Sequence, residues 1–209
     1  MGEDGVDGGV PLAARRTSRG ERTRSKLLEA AREVMAERGF AAARIEDIVA
    51  AAGVSHGTFY TYFENKAVAL DALIDTVAAE LQAVVDEPWD GADGQAAVEA
   101  VIGRFVRVFA SHADVVRVWL EVSAHDAHFA DRLTQVRGGY VARVAEVLEP
   151  ALQGTRHDPV LAARALVAMV EGTVTQGVAG SPQADPATVV RTLRSLWVGG
   201  VLRLADDGR

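Results

Sequence analysis

Residues 45–66, IEDIVAAAGVSHGTFYTYFENK, restrict the fold more tightly than any other stretch of the chain. Ile45, Ile48 and Val49 share one face of a short helical pattern over about 45–52. Gly53-Val54-Ser55 breaks it, and Ser55 is a favourable N-cap for a second short helix over about 57–63. Two short helices joined by a tight glycine-containing turn make a helix-turn-helix, with Phe59 and Phe63, four apart, anchoring the second helix on the first. Upstream, Leu27, Leu28, Ala31, Val34 and Met35 recur at helical spacing, and Gly39 stands where a left-handed C-cap belongs, with Phe40 as its apolar partner.

The rest of the chain repeats the helical period. Leu70, Leu73, Ile74, Val77, Leu81 and Val84 predict a helix over about 66–85, and further spans are expected near 95–111, 114–124, 127–152, 159–178 and 187–204. Asp158-Pro159 and Asp185-Pro186 each set a capping carboxylate before a proline at the first helical position. No alternating segment of convincing length reads as a strand. The expected fold is all-α with about nine helices: a flexible, basic-ended tail at 1–19, a three-helix unit at 20–66, and a helical body at 67–209.

The charge is unevenly distributed over this plan. The 209 residues carry a net charge of −7, all of it in residues 71–209, while 1–70 are neutral. Residues 15–44 hold nine basic side chains against four acidic ones. A basic head on an acidic body suits a division of labour in which one part meets a polyanion, although a solvated basic helix face has the same composition. Half the residues are apolar, which excludes wholesale disorder. The absence of cysteine excludes a disulfide scaffold, a thiolate metal site and a cysteine nucleophile. No apolar run approaches the roughly 18 residues of a membrane span. The first twenty residues lack the apolar segment of a secretory signal, so the cytoplasm is the expected compartment.

With Phe59 and Phe63 turned inward, His56, Thr58, Tyr60, Thr61 and Tyr62 are left to face outward. Hydroxyls and ring edges suit phosphate oxygens and thymine methyls, and the second helix of such a motif is the one that enters a major groove. Lys66 stands at the start of the next helix, where an ammonium and free backbone N–H groups jointly suit a phosphate. Tyr60 and Tyr62 have an alternative, packing against the fourth helix. The basic residues from Arg15 to Lys26 either reach toward a groove or are solvated.

Ala51-Ala52-Gly53-Val54-Ser55, Gly57-Thr58-Phe59-Tyr60, Tyr62-Phe63 and Asn65-Lys66, preceded by Gly39-Phe40 and Asp47-Ile48, resemble the DNA-binding signature of the tetracycline-repressor (TetR) family. The likeness covers roughly residues 22–70; beyond them it is architectural. It implies that Ser55 caps the recognition helix and that Gly57 lets the helix start approach the DNA backbone. It assigns His56, Thr58 and Thr61 to base edges or nearby phosphate, Tyr60 to phosphate or a thymine methyl, Tyr62 to phosphate, and Lys66 to clamping a phosphate. One departure stands out. The family usually has Thr or Ser before the first motif helix, whereas this chain has Ala43-Arg44, leaving Arg44 to supply that phosphate contact.

For the body, the resemblance implies dimerisation and an effector pocket. The interface candidates are Leu161, Ala165, Met169 and Gly172 on one helix, and Val189, Leu193, Leu196, Trp197, Gly200, Val201 and Leu204 on the last; the alternative is that both helices pack within one protomer. A two-fold dimer presents its recognition helices about 34–36 Å apart, or a multiple, on a palindromic operator. The pocket candidates are Phe105, Phe109, Trp119, Val122, His125, Tyr140, Val144 and Met169, with Phe129, His112 and His128 nearby; each aromatic also reads as plain core. His125 and His128 lie in an interhelical stretch, and no Glu-x-x-His pair occurs, so no metal or other cofactor is expected. The chain therefore reads as a sequence-specific, homodimeric DNA-binding transcriptional regulator, a repressor that a small, mostly apolar ligand releases from DNA. The alternatives are a constitutive DNA-binding dimer without effector and an all-α enzyme. The latter lacks a phosphate loop or nucleophile motif to support it.

Overall fold

The computed structural model describes residues 12–87, 94–180 and 185–206. Among them are nine helices and no strand: α1 (Leu12–Ala42), α2 (Ile45–Ala52), α3 (His56–Tyr62), α4 (Lys66–Asp86), α5 (Gly94–Ser111), α6 (Ala113–Ser123), α7 (Ala127–Leu152), α8 (Pro159–Gly180) and α9 (Pro186–Asp206). The chain divides into two compact units between Leu73 and Ile74, within α4. Helix α1 begins at Leu12, so part of the expected tail is helical; the run Leu12-Ala13-Ala14-Arg15-Arg16 consists of strong helix formers.

In the first unit, α1 turns Leu27, Ala30, Ala31, Val34 and Met35 inward, all buried and three or four apart. These residues meet Ile48 and Val49 of α2 and Phe59 of α3 in one core, where the Phe59 and Phe63 rings lie 5.7 Å apart. Gly39 differs from expectation. Its φ is positive at 76°, but its ψ of 160° lies outside the left-handed helical region, in a conformation essentially reserved for glycine. The chain kinks there and makes one further turn, closed by Ala43 N–H donating to Gly39 O at 3.1 Å.

In the second unit, α7 packs along α8 and α5 along α9. Each of α4 to α9 buries an apolar stripe, including Val77 and Leu81, Ile102 and Phe105, Val118 and Trp119, Phe129 and Tyr140, Ala163 and Val170, and Leu193 and Trp197. Side-chain caps start three of these helices. Asp126 accepts from His128 N–H (2.9 Å), and Asp158 from Val160 N–H (2.7 Å) and Leu161 N–H (3.1 Å). Asp185 takes the N–H and hydroxyl of Thr188 (3.2 and 3.1 Å), and these bonds hold its carboxyl below the ordinary carboxylate range. No helix among the described residues is long and apolar enough to cross a membrane.

Candidate nucleic-acid interface and internal cavity

The turn between α2 and α3 is built from backbone bonds at one glycine. Gly53 adopts the left-handed conformation (φ 65°, ψ 38°), Val54 N–H donates to Val49 O at 3.1 Å, and Gly53 N–H donates to Ala50 O at 3.2 Å. These paired bonds form a Schellman motif, which ends α2 and frees the chain to start α3 two residues later. Ser55 Oγ accepts Thr58 N–H at 3.2 Å and lies 2.8 Å from Thr58 Oγ1. Ser55→Ala is expected to lower stability by about 1 kcal/mol. Urea unfolding checks this, and an unchanged midpoint would mean that another group satisfies the Thr58 N–H.

Phe59 is fully buried and Phe63 nearly so, which turns His56, Gly57, Tyr60 and Thr61 toward solvent. Tyr60 is 51 % exposed, and the His56 ring meets it edge-on at 5.3 Å. His56 Nε2 also lies 3.3 Å from Glu46 Oε1 on α2, which orients the ring. Thr61 spends its hydroxyl proton on Gly57 O (3.1 Å) and keeps its methyl and lone pairs outward. Thr58 is half-buried. So is Tyr62, whose hydroxyl comes within 3.6 Å of where a β-carbon on Gly20 of α1 would stand. Arg44 is exposed at the start of α2, extended and without a side-chain cap.

Lys66 is placed differently from the phosphate clamp that the resemblance implies. Its ammonium donates to Phe40 O (2.7 Å), Ala41 O (3.0 Å) and Ala43 O (2.8 Å), and sits 4.8 Å from the centre of the Phe40 ring. An ammonium has three donors, and all three are used. Burial pulls its pKa below the ordinary lysine value. The nearby backbone donors are also taken: Asn65 Oδ1 accepts from Ala67 N–H (2.9 Å) and Val68 N–H (3.0 Å). Lys66 therefore caps the carbonyls of the turn after α1.

In the second unit, an apolar cavity of about 360 Å³ is walled by Val85, Val101, Ile102, Phe105, Tyr140, Val144, Val167, Val170 and Trp197. Of the expected pocket residues it takes Phe105, Tyr140 and Val144. Phe109 lines a separate cleft with Val116, Leu120 and Val174. Trp119 and Val122 are core residues outside the cavity wall, and Trp119 Nε1 donates to Phe129 O at 3.2 Å. His125 is exposed in the turn after α6, and Met169 is half-buried outside the cavity wall. His112 pairs with Glu80 at 3.0 Å, while the His128 ring lies against Phe129.

The expected interface residues also separate. Leu193 (2 % exposed) and Trp197 (4 %) are buried within the protomer, because α9 lays that stripe along α5, where Val190 approaches Gly103. Leu161 (66 % exposed) and Leu196 (55 %) face outward, as does Ala165. Gly172 and Gly200 have open space where a β-carbon would stand, while Met169 and Val189 are half-buried. The side chains of Val201 and Leu204 lie outside the described residues.

Glu171 was not anticipated. It is the single acidic residue of α8, and it is buried, accepting from Arg137 Nε at 2.9 Å and from the Tyr140 hydroxyl. Burial, and then the Glu171 charge, push the Tyr140 pKa up, so the phenol stays protonated and acts as a donor. A lone carboxylate in a long apolar segment was the available signal.

Residues 27–73 match the family described as bacterial regulatory proteins, tetR family, and residues 95–199 match the tetracyclin repressor-like C-terminal domain. The HTH-type transcriptional regulator EthR of Mycolicibacterium smegmatis is 27 % identical over 196 residues, covering 90 % of each chain. The fatty acid metabolism regulator protein of Bacillus subtilis is 23 % identical over 182 residues, covering 84 % of this chain and 94 % of its own. Among solved structures, NalD, the secondary repressor of the MexAB-OprM multidrug efflux pump in Pseudomonas aeruginosa, superposes with a TM-score of 0.70 at 20 % identity. That likeness covers 88 % of this chain and 97 % of NalD.

Proposed function

The chain belongs to the tetR family of bacterial regulatory proteins, DNA-binding transcriptional regulators, and from that premise we propose a homodimeric repressor released from a palindromic operator by a small, mostly apolar molecule. The observation that carries the ligand-responsive part is the cavity walled by helices α4, α5, α7, α8 and α9, with no charged side chain in its wall. Filling it lowers operator affinity, and by linkage operator binding lowers ligand affinity by the same factor. Leu161, Ala165 and Gly172 of α8, with Leu196 and Gly200 of α9, supply the dimer face. His56, Tyr60 and Thr61 reach base edges, Gly57 allows close approach, and Arg44 meets phosphate.

Sequencing genomic fragments retained by the purified protein tests this reading. Inverted repeats are expected, bound with an affinity that falls log-linearly with salt. No salt-sensitive affinity for its own upstream DNA would overturn operator binding. Arg44→Ala is expected to weaken binding to all sequences alike and to lower the salt slope by about one. A changed base preference in that variant would make Arg44 a base reader instead.

A further inference from the structure

Two tryptophans are buried in the second unit, and they differ in one respect. Trp119 Nε1 donates to Phe129 O at 3.2 Å. Trp197 is 4 % exposed, and its Nε1 has no hydrogen-bond partner. Buried indole N–H groups ordinarily find an acceptor, and leaving one without costs free energy. Trp197 also lines the apolar cavity. The other polar group in that wall is the Tyr140 hydroxyl, whose proton goes to Glu171.

We infer that the molecule this cavity takes is compact, uncharged and mostly apolar, and carries one hydrogen-bond acceptor (a ketone, ester or ether oxygen) that receives the Trp197 N–H. The inference rests on the reading of the cavity as an effector site and narrows the effector's chemistry. An anion finds no cation in the wall, and a cation finds no free carboxylate, because Glu171 already accepts from Arg137 and Tyr140. Water is a poor occupant, since a buried water makes about three hydrogen bonds and these walls are almost wholly carbon. At about 360 Å³ the cavity sits near the lower end of the roughly 300–1,000 Å³ typical of small-molecule sites.

The test uses the full chain and alkyl phenyl ketones from acetophenone to octanophenone, each paired with the alkene in which CH₂ replaces the carbonyl oxygen. The two members of a pair match in shape, and the alkene lacks the acceptor. Calorimetry is expected to show the best-fitting ketone binding about tenfold tighter than its alkene. In Trp197→Phe the preference is expected to shrink to about twofold or less while alkene affinity is retained. Equal ketone and alkene affinities for the wild-type protein would overturn the hydrogen bond and leave the effector-site reading standing. A ketone preference that persists in Trp197→Phe would also overturn it, by requiring another donor. Failure of every pair to bind would overturn the effector-site reading itself, and this inference with it. Should Trp197→Phe fail to fold, the wild-type spectrum decides. One of three indole N–H resonances should move downfield with the ketone and not with the alkene, and the absence of such a shift would overturn the assignment.

Discussion

Lys66→Ala is expected to lower stability by about 2–4 kcal/mol while leaving the salt dependence of DNA binding unchanged. The ammonium holds the carbonyls of Phe40, Ala41 and Ala43 at 2.7–3.0 Å, where Gly39 has already broken the α1 ladder. A single hydrogen bond to a charged group contributes about 1.5–3 kcal/mol net, and water repairs part of the loss at exposed acceptors. The expected total is therefore well below three full bonds. Lys66→Met separates the causes, because it keeps the alkyl stem near Phe40 and removes only the donors. If Met is as unstable as Ala, the carbonyl contacts are responsible. If Met restores stability, stem packing is. A phosphate clamp predicts the opposite pattern, with stability retained and the salt slope reduced by about one.

The second large effect is expected at α9. Leu196→Glu should leave the protomer folded but dissociate the dimer, lowering operator affinity by about 10²–10⁴-fold, the advantage of linking two half-site contacts. Leu196 is 55 % exposed, so the substitution loses little burial inside the protomer, and in a two-fold interface it sets like charges near one another. Leu193, three residues earlier, is 2 % exposed, and Leu193→Ala is expected to cost about 2–5 kcal/mol of protomer stability. Sedimentation and urea unfolding distinguish the two. If Leu196→Glu stays dimeric, the interface lies elsewhere; if Leu193→Ala dissociates the dimer without lowering stability, the two stripes have been assigned the wrong way round.

These two residues illustrate why the body was harder to read than the head. In residues 45–66 the decisive interactions are local. Gly53 ends α2 through bonds to Ala50 and Val49, and Ser55 starts α3 through Thr58, all within five positions along the chain. On α9, Val189, Leu193, Leu196, Trp197 and Gly200 read as one apolar face, because helical periodicity reports only that residues are apolar and neighbouring. Packing against α5 buries two of them and leaves Leu196 exposed. The pocket divides in the same way. Phe105 and Tyr140 reach the cavity, whereas Trp119 and Val122 are core, and no spacing rule tells an aromatic at a cavity wall from one in the core.

The sequence by itself determined that the chain is all-α, where most helices begin and end, and that a helix-turn-helix lies at 45–66. Caps, periodicity and the Gly53 turn act over a few residues, so their free energies are written in neighbouring letters. Only the tertiary structure decided the partner of Lys66, 23 to 26 residues away at the end of α1, the burial of Glu171 under Tyr140 and Arg137, and the unmet N–H of Trp197 at the cavity. Those outcomes depend on which groups lose water together when distant helices meet, and the order of residues along one helix does not carry that information.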